Sequence, residues 1–134
     1  MGSFRRQAIR FCQMSLYGGY LNSARPLGRK SIEAMTRNQI GDLEAKSIVA
    51  GGEEVQPLSR GIRFGLGYAA VTDPSQSRVL LSEGTYWWGG AAGTTFFVDP
   101  KQQMIGILMI QLQPYTHLNL RQSFWTLAAQ AIVD

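Results

Sequence analysis

The stretch Thr94-Thr95-Phe96-Phe97-Val98-Asp99-Pro100-Lys101-Gln102-Gln103-Met104-Ile105-Gly106-Ile107-Leu108-Met109-Ile110 decides how this chain folds. Thr94–Val98 and Met104–Ile110 are rich in β-branched, aromatic and other apolar residues. The intervening Asp99–Gln103 has the composition of a longer hairpin loop. The second run is apolar at successive positions, so both of its faces need cover. This predicts a sheet sandwiched between other layers.

Working outward, the period of two continues upstream. Gly61–Val71 reads as a glycine-spaced strand and Thr72-Asp73-Pro74-Ser75 as a turn. Arg78–Leu81 and Thr85–Trp88 read as strand segments interrupted by Gly84, which gives a strand region of about 61–111. Downstream, Leu120–Val133 reads as a helix with Leu120, Phe124, Leu127, Ala128 and Ala131 on its apolar stripe. Asn119 and Gln122 stand at capping-box spacing before it.

Towards the N-terminus the period becomes helical. Phe4–Tyr17 carries Phe4, Ala8, Phe11, Cys12 and Ser15 on one stripe, and Gly18-Gly19 ends it. Tyr20–Pro26 is a turn or short hairpin. Arg29–Asn38 is a second helix with Ile32, Met35, Gln39 and Ile40 inward and Gly41 as its stop. Residues 42–60, broken by Gly51-Gly52, Glu53-Glu54 and Pro57, read as a flexible surface loop. The order helix, helix, three to five antiparallel strands, helix is an α+β pattern, and 134 residues fit one domain.

The totals narrow the function. Hydrophobic residues make up 45% and charged residues 16%, a globular balance. The net charge is +4, but the basic residues are dispersed apart from Arg5, Arg6 and Arg10, and aromatic residues do not interleave with them. A solvated helix face explains that cluster better than nucleic-acid binding does. Cys12 is the single cysteine, so no internal disulfide forms. With one cysteine and one histidine, His117, no metal site and no cofactor are expected. No apolar run reaches the roughly 18 residues of a membrane span, and no apolar signal core opens the chain, which favours the cytoplasm.

Four segments, in order, carry a resemblance. They are Phe11-Cys12-Gln13-Met14 with Gly18-Gly19; Gly28–Gly41, reading GRKSIEAMTRNQIG; Phe64-Gly65-Leu66-Gly67-Tyr68; and Trp88-Gly89-Gly90-Ala91-Ala92-Gly93-Thr94, followed by Phe97-Val98-Asp99-Pro100 and Leu108-Met109-Ile110-Gln111. Together they resemble the serine β-lactamase and penicillin-binding-protein superfamily, in its class C-like branch of carboxylesterases and D-aminopeptidases. The likeness covers nearly the whole chain but only about the last third of a typical member. It implies that residues 1–134 are the C-terminal portion of a β-lactamase-like serine hydrolase domain.

In that superfamily the site lies between a helical domain and an α/β domain built on an antiparallel sheet. It uses S-x-x-K for nucleophile and base, a tyrosine motif for proton transfer, and a strand motif, often W-G-G in the esterase-like branch. Trp88-Gly89-Gly90 resembles the third. The resemblance implies that Ala91 supplies an oxyanion-hole amide and Trp88 a wall of the acyl or leaving-group pocket. Without its flanks the same segment would read as a bent strand with a core tryptophan.

The nucleophile motif is missing, because no serine in the chain is followed at the third place by lysine. Ser3 and Ser75 have arginine there, which stays protonated and cannot act as a base. Tyr20-Leu21-Asn22 spells Y-x-N, but the family places a turn at this position. His117 reads as a helix-entry residue, Cys12 as a small buried thiol, and Trp87 as core, opposite Trp88. No catalytic residue is therefore assigned.

The expectation is an inactive fragment whose intact parent would hydrolyse an ester, amide or β-lactam through a serine acyl-enzyme. The alternatives are a ligand-binding module without turnover, and a subunit that completes a site with another chain. A piece lacking the family's N-terminal strands and helix would leave apolar surface open, so self-association or an N-terminal partner region is expected.

Overall fold

The computed structural model describes residues 2–43, 60–77, 80–114 and 118–133. Helix α1 is Gly2–Leu16 and helix α2 is Arg29–Thr36. Five strands follow: β1 Ile62–Phe64, β2 Ala69–Val71, β3 Tyr86–Gly89, β4 Thr95–Asp99 and β5 Met104–Leu108. Helix α3, Leu120–Gln130, comes last. The strands form one antiparallel sheet in sequence order, so the architecture is α+β.

Alternation along the strands divides the core in two. On one face Ile62, Ala69, Val71, Leu81, Trp87 and Phe97 pack with Trp125, Phe124 and Ala128 of α3. On the other, Tyr68, Ala70, Tyr86, Val98, Ile105 and Ile107 pack with Cys12 and Leu16 of α1 and Met35 of α2. The sheet is sandwiched, as the two-faced apolar run of β5 requires.

The central hairpin forms as the sequence suggests. Asp99, fully buried, accepts the Lys101 and Gln102 N–H groups on Oδ1 at 3.0 and 3.1 Å, which fixes the turn from β4 into β5. Its Oδ2 accepts the Ser82 N–H at 3.3 Å and so ties in the loop before β3.

Several expectations need correction. Gly61–Val71 is two strands, because Gly67, with φ +101°, turns the chain and the Gly65 N–H reaches the Tyr68 carbonyl at 2.8 Å. The second helix ends at Thr36, two residues early, and Gly41 sits in a later turn. Beyond Thr36 the backbone runs extended beside β1, where the Gln39 N–H donates to the Phe64 carbonyl at 2.9 Å; the Gln39 side chain is exposed. Asn119 makes no side-chain cap and is itself left-handed, with φ +47°.

The buried stripe of α3 centres on Trp125, while Leu127 and Ala131 face solvent. Likewise Phe4 and Phe11 of α1 are exposed, and Cys12, Met14 and Ser15 are buried. Leu81 is buried without joining a strand. The loop expected at 42–60 lies almost wholly outside the described residues, as do Arg78 and His117.

Candidate functional site

Strand β3 delivers the Trp88-Gly89-Gly90-Ala91 segment to one end of the sheet. Trp87 and Trp88 point to opposite faces, as extended backbone demands. Trp87 is buried edge-on against Trp125, with centroids 4.9 Å apart, whereas Trp88 keeps 46% of its surface exposed. Gly89 closes β3 opposite Thr95. The Gly90 N–H then donates to the Thr94 carbonyl at 2.7 Å, and the Gly93 N–H returns to Gly90 at 3.1 Å. Ala91 therefore sits exposed at the tip of the β3–β4 loop, and among the described residues no acceptor takes its N–H.

The two glycines differ. A Cβ on Gly89 would lie 2.6 Å from Nη2 of Arg121 in α3 and 2.9 Å from the Thr94 carbonyl oxygen, so packing inside the fold excludes a side chain there. A Cβ on Gly90 would meet nothing within 4 Å among the described residues, and its φ lies outside the left-handed region. Among the described residues, Gly41, Gly67 and Gly84 also have nothing within 4 Å of an added Cβ, but each has a positive φ that favours glycine. Gly90 has neither reason, and its bare backbone faces outward beside Ala91.

The other candidates lie apart from this end. Tyr20 holds Arg25 over its ring at 4.3 Å, in a turn closed by the Leu21–Ala24 bridge, with Asn22 at φ +54°. Cys12 is buried, and desolvation pushes its thiol up to about 11, so it is a poor nucleophile near neutrality. Ser15 and Tyr86 share a buried 2.7 Å hydrogen bond; burial raises the Tyr86 phenol to about 12. Among the described residues no group of three or more His, Cys, Asp or Glu could hold a metal ion, and no helix is long and apolar enough to cross a membrane.

Two residues at this end escaped the sequence reading. Arg121 covers the back of Gly89, but no periodicity marks it. Phe64 lies edge-on to Trp88; its segment was read as a glycine-spaced strand and as part of a family likeness, but the contact itself is long-range.

Two proteins of Mycobacterium tuberculosis are similar to this chain. Uncharacterized protein MT1414 (strain CDC 1551 / Oshkosh) and Protein Rv1367c (strain ATCC 25618 / H37Rv) are each 33% identical to it over 109 residues, which is 79% of this chain. The chain spans about a quarter of the length of these relatives, 26% in each case. No family model matches it.

Proposed function

We propose that this chain is the C-terminal part of a β-lactamase-like serine hydrolase, carrying the substrate-lining strand and an oxyanion donor but not the nucleophile. The observation that carries this reading is Gly90. No steric or backbone requirement among the described residues calls for glycine there, and the next residue, Ala91, is exposed with an N–H that no acceptor among the described residues takes. A substrate carbonyl lying against that strand would find a bare backbone and an unpaired N–H, which is what an oxyanion donor must offer. An antiparallel sheet covered on both faces by helices accords with the fold the resemblance implies. The relatives' greater length leaves room for the other motifs, since this chain matches only a quarter of each.

In the intact parent, a serine activated by the S-x-x-K lysine would attack an ester or amide carbonyl, and the Ala91 N–H would donate to the developing oxyanion. The isolated chain should be inert. Incubated with a short-chain p-nitrophenyl ester it should release no p-nitrophenol above background. Intact-mass analysis after fluorophosphonate treatment should show no adduct. Turnover with a stoichiometric adduct would overturn the reading, because a nucleophile would then exist within this chain.

A further inference from the structure

Beside Gly90 stands Trp88, the more exposed ring of an aromatic pair. Phe64, the last residue of β1, meets Trp88 with ring centroids 5.1 Å apart and planes at 77°. Phe64 also packs against the Trp87–Trp125 cluster on the α3 face, whereas Phe96 packs with Tyr68 and Phe11 on the α1 face. Edge-to-face pairs at the Phe64–Trp88 separation favour one relative ring orientation. Phe64 is anchored through its backbone, because its carbonyl accepts the Gln39 N–H and the next residue closes the tight turn to Tyr68. Trp88 is thus steadied from β1 while much of its surface stays open beside Gly90.

Resting on the hydrolase reading above, we propose that Phe64 is a specificity-determining positioning residue, holding Trp88 at the angle that receives an uncharged aryl group of an ester substrate. The two rings carry no charge, and an anionic group laid on them would lose hydration against an apolar surface. A flat, uncharged ring gains both apolar burial and a further aromatic contact there. Phe64 reaches no reacting atom; it acts through the Trp88 indole.

Amide and indole NMR titration of the full chain tests this directly, with ethyl phenylacetate, ethyl acetate and the phenylacetate anion as probes. Ethyl phenylacetate should shift the Trp88 indole N–H and the Ala91 amide, and should bind more tightly than the other two. Phe64→Leu keeps apolar bulk without the ring. It should weaken ethyl phenylacetate by roughly three- to tenfold, the worth of one aromatic pair, and leave ethyl acetate unchanged. Phe64→Tyr should restore the difference. Unchanged selectivity in Phe64→Leu, or equal binding of the anion, would overturn the role of Phe64 while an ester-dependent Ala91 shift kept the hydrolase reading intact. If no ester moved either Ala91 or Trp88, both would fall.

Discussion

Gly89 and Gly90 are adjacent and chemically identical, yet substitution at the two positions should have opposite effects. An alanine methyl at 89 would press on Arg121 and the Thr94 carbonyl. Gly89→Ala should therefore destabilise the fold by about 1–3 kcal/mol in denaturant titration. Gly90→Ala meets open space without left-handed strain and should be neutral, or stabilising by up to about 1 kcal/mol through the unfolded state. Among the described residues, three buried groups, Cys12, Tyr68 and Tyr86, are held neutral by desolvation, which raises each pKa in the fold. Cys12 goes from 9.0 to about 11, Tyr86 from 10.0 to about 12, and Tyr68 moves upward as well. The neutral forms are favoured in the native state, so their contribution is complete below about pH 9 and is lost between about pH 9 and 12. Thermal midpoints followed across that range should fall, and Tyr86→Phe should flatten the upper part of the decline. The same substitution removes the Ser15 bond, at about 1 kcal/mol.

At the scale of elements, α3 separates what periodicity can reveal from what it cannot. Its helical character was legible in residues 120–133, but its buried face was not. Leu120, Phe124, Leu127, Ala128 and Ala131 fit a stripe, and so does a neighbouring stripe through Phe124, Trp125 and Ala128. Only the presence of Trp87 and Phe97 on the opposing sheet selects the second. Trp125→Ala should cost about 3–5 kcal/mol, and Leu127→Gln should stay within about 0.5 kcal/mol; urea unfolding distinguishes them. The β4–β5 hairpin was readable because its turn chemistry, an Asp99 carboxylate capping two N–H groups, is local. The break at Gly65–Tyr68 was masked because glycines spaced along an apolar run suit a flexible strand as well as a hairpin turn. The early end of α2 depends on Gln39 finding Phe64, a partner 25 positions away that no local rule supplies.

For the whole molecule, the exposed surfaces matter as much as the core. Among the described residues strand β5 is an outer strand of the sheet, with apolar residues half-buried along its length, and Phe4 on α1 is 79% exposed. An apolar sheet edge invites pairing. Sedimentation velocity should therefore show mass rising with concentration, and Phe4→Gln should reduce that rise if α1 contributes. Of the candidate site, the segment Trp88–Ala91 and the opposed directions of Trp87 and Trp88 were legible, because strand alternation is local. The Arg121 and Phe64 contacts were not, since they join β3 to elements far along the chain. The most direct test of Gly90 as the ligand-facing position is amide NMR titration of the wild-type chain and Gly90→Val with ethyl phenylacetate, each checked by its thermal midpoint. The expected result is an ester-dependent shift of the Ala91 amide that disappears in Gly90→Val while the midpoint holds. Equal binding by the two proteins, or no shift at Ala91 in the wild type, would contradict it.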